Sequence, residues 1–166
     1  MNKLNTKTNK GGRISIRKLK ESDYTRFYEM SSNPKVRAYH GCIQLRNLEE
    51  SLIMVRQVMK LYRMGKNIMY AITLNGEFIG AINVSRKIET TVGYWIGEQY
   101  WGHGYGTKAL KLMLNKYLKH DKVVLFIFKE NKASIKVALN CSFELEGEID
   151  GIQKYVRQQY VLSKDE

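Results

Sequence analysis

The chain has 166 residues, of which 43% are hydrophobic and 27% are charged, a composition typical of one soluble globular domain. Basic residues outnumber acidic residues by 28 to 16, and the formal net charge of +12 favours acidic partners. The longest apolar run, residues 123–128, is far shorter than the roughly 18 residues of a membrane span, and no apolar leader follows Met1, so we expect a cytoplasmic protein without a membrane partner. Two distant cysteines and three scattered histidines exclude a disulfide framework and a zinc site of ordinary spacing.

The first twelve residues are polar, show no periodicity and end in Gly11-Gly12. They predict a disordered basic tail over residues 1–12, followed by a single domain over residues 13–166. Residues 1–20 hold seven basic residues and no acidic residue, so much of the net charge lies in this arm. No aromatic residue precedes Tyr24, which favours a solvated arm over a dedicated nucleic-acid arm, because the latter would interleave aromatic residues for base stacking.

A strand and two helical regions are predicted in the first part of the chain. Apolar and polar residues alternate over residues 14–17, as in a half-buried strand, and Ser22-Asp23 offers N-caps for a helix after it. Asn33-Pro34 ends that helix. Apolar residues at spacings of three and four then predict a second helical region over residues 47–63.

A β-hairpin gives the clearest local signal. Asn75-Gly76 separates two β-rich segments, residues 69–74 and 78–84, which favours a type I′ turn. The elements predicted after it are a strand over residues 90–96, a glycine-rich loop over 97–104, a helix over 107–119, a strand over 123–128, a short helix over 133–140, and a closing hairpin of 143–149 and 154–162 around Asp150-Gly151. This order describes a mixed α+β sheet with one parallel crossover, and a ferredoxin-like sandwich is the alternative.

The glycine-rich loop joins a strand to a helix, so its backbone N–H groups meet the positive end of the helix dipole, a geometry that binds phosphate. Its glycines at positions 102, 104 and 106 do not match the GxGxxG dinucleotide fingerprint, because the third glycine comes one residue early. A Walker A loop is excluded as well, since His103-Gly104 stands where Lys-Ser/Thr is required. A pyrophosphate loop of the form Q/R-x-x-G-x-G/A remains, with a simple strand-to-helix corner as the alternative.

Motifs spread over residues 13–163 resemble, in the same order, those of the GNAT N-acetyltransferases, in the branch that includes the ribosomal-protein N-terminal acetyltransferases. Gly93-Tyr94-Trp95-Ile96 resembles the family's splayed central strand, Gln99-x-x-Gly102-x-Gly104 its pyrophosphate loop, and Asn131-x-Ala133-Ser134-Ile135 the segment before its cofactor-side helix. The resemblance implies a mostly antiparallel, twisted α+β sheet of about six or seven strands, with about four helices and a splayed parallel pair at the cofactor site.

Two positions depart from the family pattern. Ser142 stands where a glycine commonly precedes the phenylalanine, a change that the fold should tolerate. Ala138 stands where many members have the tyrosine that protonates the leaving thiolate. The resemblance therefore leaves the proton donor to Ser134, as in some members of the ribosomal-protein branch, and an N-terminal helix cap is the alternative role for this serine.

The resemblance implies direct transfer of an acetyl group from acetyl-CoA to a primary amine through a tetrahedral intermediate. A backbone N–H near Trp95 and Ile96 would stabilise the oxyanion, so Ser134 and Ile96 are the catalytic candidates. The cofactor-binding residues that it implies are Trp95, Ile96, Gln99, Gly102, His103, Gly104, Tyr105, Gly106, Thr107, Asn131 and Ser134. His103, at a free position between two glycines, is expected to face solvent, and Cys141 is expected to be a buried structural thiol.

The base and the acceptor are not fixed by spacing. The candidate bases are Glu98, Glu146, Glu148 and Asp150. The positive charge favours an acidic protein N-terminus, or a small amine, over a polyamine. Two alternatives stay open: a basic RNA- or ribosome-binding module that binds CoA without catalysis, and an aminoglycoside or polyamine acetyltransferase. No dedicated nucleic-acid motif is present. A homodimer is the assembly that the resemblance allows.

Overall fold

The computed structural model describes residues 12–39, 44–66 and 68–159. The predicted tail, apart from Gly12, lies outside these residues. The elements are β1 (Ile14–Arg17), α1 (Tyr24–Ser31), α2 (Pro34–Arg37), α3 (Leu48–Arg63), β2 (Met69–Leu74), β3 (Glu77–Arg86), β4 (Thr90–Ile96), α4 (Tyr105–Tyr117), β5 (Val123–Phe128), α5 (Lys132–Asn140), β6 (Glu144–Ile149) and β7 (Ile152–Arg157), with short 3-10 helices at Glu21–Asp23 and Glu98–Tyr100. No helix within the described ranges has both the length and the apolar character that crossing a bilayer requires.

The strands form one seven-stranded sheet in the order β1-β2-β3-β4-β5-β7-β6. Neighbouring strands are antiparallel except β4 and β5, which are parallel and are connected through α4. This topology confirms the predicted mixed sheet with one parallel crossover. The ferredoxin-like alternative is wrong, because β1 to β4 run as a meander in sequence order before the single crossover.

The parallel pair separates toward its carboxyl ends. The register joins Thr90 to Val123 and Thr91 to Val124, although β4 continues to Ile96 and β5 to Phe128. On its other side β5 stays paired with β7 along its whole length. The sheet therefore has a gap between the second halves of β4 and β5, as expected for a splayed pair.

Two apolar layers cover the sheet. On one face α1 and α3 enclose a cluster in which the Phe27 ring meets Trp95 edge-on, with 5.1 Å between ring centroids, and also packs on Phe78. On the other face α4 and α5 enclose the larger cluster, which includes the fully buried Leu110 and Met113. Because β4 alternates its side chains between the two clusters, the strand that borders the gap is packed on both faces of the sheet.

The hairpin turns confirm the predicted turn chemistry. Asn75 and Gly76 have φ values of 52° and 89°, and both values are positive, as a type I′ turn requires. Asp150 and Gly151 repeat this pattern between β6 and β7, with φ values of 51° and 79°.

Two local predictions are corrected. Asp23 is the N-cap residue of α1, as predicted, but its side chain makes no capping bond to that helix. The carboxylate instead accepts hydrogen bonds from the Arg17 guanidinium at 2.7 and 2.8 Å and from the Lys20 N–H at 2.8 Å. Helix α4 begins at Tyr105, two residues before the predicted start, because Gly104 adopts a left-handed φ of 73° and turns the chain earlier.

Candidate active site

A cavity of about 460 Å³ lies where β4 and β5 separate. It is lined by β4, the glycine loop, the start of α4, β5, α5 and the α2 region. The predicted site residues that line it are Trp95, Ile96, Gly102, Gly104, Tyr105, Gly106, Thr107, Asn131 and Ser134. Gln99 and His103 are not part of this lining and are exposed. The His103 ring packs edge-on against Tyr105, with 5.4 Å between ring centroids.

The glycine loop adopts the conformation that only glycine takes without strain. Gly102 and Gly104 have φ values of 76° and 73°, and the space around each hypothetical Cβ is open, so backbone strain rather than crowding excludes a side chain there. Gly106 is favoured for a different reason, since a Cβ at that position would lie 3.3 Å from Cε2 of Tyr94, closer than an ordinary van der Waals contact. The first turn of α4 therefore packs closely against the Tyr94 ring of β4.

The N-terminus of α4 can bind an anion. Gly104 precedes the helix and has no side chain to cap it, and the first bond into the helix is from the Lys108 N–H to the Gly104 carbonyl at 3.1 Å. The N–H groups of residues 105–107 therefore have no acceptor within the helix, and they begin at the cavity wall. Backbone donors at the positive end of a 13-residue helix fit a pyrophosphate group.

The end of β4 presents backbone groups to the gap. The Gly97 N–H donates to the Ile79 carbonyl of β3 at 2.9 Å. Because N–H and C=O groups alternate sides along an extended strand, those of Ile96 face β5, across the gap. The Ile96 carbonyl accepts a hydrogen bond from the Trp101 indole at 2.7 Å. The Ile96 N–H thus has the orientation expected of an oxyanion donor, and that role stays a prediction.

Ser134 lies in the first turn of α5. Its N–H donates to Oδ1 of Asn131 at 3.1 Å, so Asn131 is the N-cap and the capping alternative for Ser134 is wrong. The Ser134 hydroxyl lies 3.5 Å from the Tyr94 hydroxyl, and both residues line the cavity. Burial raises the pKa of Tyr94 to about 12, while the contact with Ser134 lowers it in part.

The carboxylates considered as bases do not line the described part of the cavity. Glu98 forms an ion pair with Lys35 and accepts from the Asn33 amide at 2.8 Å, and the Lys35 hydrogen bond lowers the pKa of Glu98. The hydrogen bond from Lys154, at 2.8 Å, lowers the pKa of Glu146.

The other two candidate carboxylates lie on the closing hairpin. Glu148 accepts from the Gln153 amide at 3.0 Å and lies 3.6 Å from the Lys129 ammonium, and Asp150 is in the exposed turn. None of the four is therefore brought to the gap.

Cys141 is 4% exposed, and burial raises the pKa of its thiol, which confirms the expectation of a buried structural cysteine.

Part of the lining comes from outside the glycine loop and its neighbours and was not predicted from the sequence. The additional polar or aromatic members are Lys35, Tyr39, Phe126, Lys136 and Asn140. Lys136 and Asn140 are one turn apart on α5, a spacing visible in the sequence. The positions of Lys35 and Tyr39 depend on how α2 packs over the sheet, and no local pattern encodes that packing.

A splayed parallel pair, an uncapped helix N-terminus behind a glycine turn, and a cavity between them together define an acyl-CoA-dependent acyltransferase. The sequence profile of the acetyltransferase (GNAT) domain matches residues 13–144, and the chain therefore belongs to the GNAT acetyltransferase family. It is an acetyl-CoA-dependent N-acetyltransferase.

Three relatives give the extent of the similarity. The uncharacterized N-acetyltransferase YoaA of Bacillus subtilis is 22% identical over 144 residues, which are 81% of each chain. RimL, a ribosomal L7/L12 α-N-protein acetyltransferase solved with coenzyme A, has a TM-score of 0.74 at 21% identity, with 88% of this chain and 94% of that chain covered. The microcin C7 self-immunity acetyltransferase MccE, solved with acetyl-CoA and AMP, has a TM-score of 0.73 at 21% identity, with coverages of 87% and 92%.

Proposed function

We propose that this acetyltransferase moves the acetyl group of acetyl-CoA to the α-amine of an acidic protein or peptide N-terminus. The observation that carries the proposal is the charge of the cavity lining. Lys136 contributes a positive charge to it, Lys35 is ion-paired with Glu98, and the described part of the lining contains no carboxylate. A nearby cation disfavours a bound ammonium ion, so the lining favours an amine that arrives neutral.

Amines differ widely in how much of the neutral form they supply. An ammonium ion has no lone pair and cannot attack the thioester. With pKa values of about 7.8 for an α-amine and about 10.4 for a lysine amine, roughly one third of the former and roughly one in 800 of the latter is neutral at about pH 7.5. A site without a base close to the amine therefore favours α-amines over lysine side chains and polyamines.

The residues of the gap have separate roles in this proposal. Acetyl-CoA supplies the acetyl group as a thioester, and the N–H groups of residues 105–107 would hold its pyrophosphate. The Ile96 N–H would donate to the carbonyl oxygen as negative charge develops on it, and the Ser134 hydroxyl would donate to the departing sulfur. The proton lost by the attacking nitrogen would leave to water.

The acceptor sequence follows from the same charges. Acidic residues behind the α-amine would be attracted by Lys136 and by the overall charge of +12. A similar ribosomal-protein acetyltransferase is described as acting on the N-terminal serine of L7/L12 in Salmonella typhimurium. That activity of a protein with 22% identity supports the choice of a protein N-terminus as the acceptor class.

Four acceptors test the proposal with free-thiol release as the readout. They are a lysine-free acidic peptide with a free N-terminus, its neutral Asn/Gln counterpart, an N-acetylated version carrying one lysine, and spermidine. The free acidic peptide should react at least about tenfold faster than the blocked lysine peptide, a margin below the ratio of neutral fractions because a lysine amine is the better nucleophile once neutral. Faster reaction of spermidine would overturn the proposal, and a module that binds CoA without catalysis would release no thiol with any acceptor.

A further inference from the structure

Two hydroxyl groups from distant parts of the chain meet at the wall of the cavity. Tyr94 comes from β4 and Ser134 from α5, forty positions apart, and Oη of the tyrosine lies 3.5 Å from Oγ of the serine. Both residues line the cavity on the side of the gap where the glycine loop begins α4.

The tyrosine is held in place by its ring. One edge of the ring faces Gly106. A Cβ added at Gly106 would lie 3.3 Å from Cε2 of Tyr94 and 3.5 Å from Cγ2 of Val137 in α5. The ring therefore packs between the start of α4 and the middle of α5. Burial raises the pKa of Tyr94 to about 12, so the phenol keeps its proton and remains a donor at neutral pH.

The serine needs a partner to keep its hydrogen directed at the cavity. Its backbone N–H is already bound by Asn131, but its hydroxyl is free to rotate. A serine hydroxyl in a helix can donate to a carbonyl three or four residues earlier, which would turn its hydrogen away from the cavity. A donor that occupies a lone pair of Oγ favours the rotamer in which that hydrogen points outward.

We propose that Tyr94 is a positioning residue for acetyl transfer: its phenol donates to Ser134 Oγ and thereby aims the serine hydrogen at the sulfur of the thioester. This inference rests on the proposed function. In the step it serves, a bond forms between the amine nitrogen and the acyl carbon, the carbon–sulfur bond breaks, and its electron pair stays on sulfur. The nitrogen loses its extra proton to water, and the thiolate takes one proton from water.

Tyr94 acts through Ser134 and does not itself protonate the sulfur. With a pKa of about 12, the phenol holds its proton more tightly than a thiol whose pKa is about 8.5, so transfer from one to the other is uphill. The nearby Cys141 thiol contributes no charge, since burial raises its pKa. The contribution of Tyr94 is one oriented hydrogen bond.

The kinetic test compares Tyr94→Phe, Ser134→Ala and the double variant. Phenylalanine keeps the ring between α4 and α5 and removes only the hydroxyl. Tyr94→Phe should lower kcat about fivefold, the value of one neutral hydrogen bond, with the KM for acetyl-CoA unchanged. In the Ser134→Ala background the same change should have no further effect, because the two residues act as one unit. Tyr70→Phe, at a buried tyrosine of β2, is the matched control and should leave kcat unchanged.

A second readout needs no acceptor. The thiolate absorbance of bound CoA gives the pKa of its thiol, and Tyr94→Phe should raise that pKa by about 0.7 units, the equivalent of a fivefold change. An unchanged thiol pKa with unchanged kcat, or equal losses with and without Ser134, would overturn the role of Tyr94. If the wild type binds CoA with a lowered thiol pKa but acetylates none of the amines, the proposed acceptor is wrong while the hydroxyl pair stands.

Discussion

Trp101 donates its indole N–H to the carbonyl oxygen of Ile96 across 2.7 Å, and so ties the glycine loop to the end of the splayed strand. The Ile96 carbonyl faces the gap, where a continuous sheet would supply a partner from β5. A loop side chain takes that partner's place. The bond fixes the distance between the two parts of the cavity that are proposed to hold the thioester and the pyrophosphate.

Trp101→Phe should therefore weaken cofactor binding more than it weakens the fold. The indole is 47% exposed, so its loss removes little buried area, but the loop loses its hydrogen bond to β4. We expect the KM for acetyl-CoA to rise about fivefold, the effect of about 1 kcal/mol in preorganisation, with kcat at saturation nearly unchanged. Steady-state kinetics measure both values. If Trp101→Ala raised KM much further than Trp101→Phe, the ring rather than the donor would be responsible.

Gly104→Ala should destabilise the loop through its backbone. The φ of 73° is left-handed, and open space around the added methyl group leaves conformational strain as the only cost. We expect a loss of about 1 kcal/mol in the free energy of unfolding, measured in urea, together with weaker binding of acetyl-CoA. Gly147→Ala is the control, because that glycine also has open space but does not have a positive φ. Equal losses at the two positions would contradict this explanation.

Ser142→Gly should have the opposite sign. Ser142 follows α5 with a φ of 63°, the left-handed position after a helix where glycine is preferred. The serine side chain is exposed, and its backbone N–H donates to the Leu139 carbonyl at 3.1 Å, a bond that glycine can keep. We expect a gain of about 0.5 to 1 kcal/mol in the free energy of unfolding. A loss would mean that the greater freedom of glycine in the unfolded chain exceeds the strain relieved.

Much of the fold could be predicted from the sequence because local patterns encode it directly. Asn75-Gly76 specified a turn whose φ values are both positive, and the strand predicted over residues 90–96 has the bounds of β4 as they occur. The boundary errors arose where one residue's conformation decides the outcome. Gly104 starts α4 early, and the Asp23 carboxylate binds Arg17 and the Lys20 N–H at the start of the preceding 3-10 helix instead of capping α1.

The candidate site could be predicted only along the glycine loop and its neighbouring strand and helix. Those residues share short motifs, so their proximity follows from chain connectivity. Lys35 and Tyr39 reach the cavity by the packing of α2, and Tyr94 meets Ser134 across forty positions. Such contacts depend on the tertiary arrangement of the whole sheet, and spacing along the chain does not contain that information.

Asp23→Ala should be among the more damaging substitutions away from the cavity. Its carboxylate is 6% exposed, binds both terminal nitrogens of Arg17, and raises the pKa of that guanidinium. Removing it leaves a partly buried cation without its carboxylate, which should cost about 2 to 3 kcal/mol in the free energy of unfolding. The control is Glu21→Ala, which breaks a similarly forked pair with Arg56 at an exposed surface and should cost much less. Equal costs would show that burial does not matter for this pair.

The ion pair of Glu98 and Lys35 should make part of the stability pH-dependent. The pKa of Glu98 is lowered by Lys35 and Asn33, so this contribution is present above the unfolded-state pKa and is lost as pH falls through the folded-state value. Wild type should exceed Glu98→Gln in unfolding midpoint at neutral pH, and the difference should shrink as the solution is acidified below the usual glutamate range, because protonated glutamate resembles glutamine. Thermal unfolding at several pH values measures it, with the exposed Glu130→Gln as control. A difference that persists in acid would show that the stabilisation does not come from the charge of Glu98.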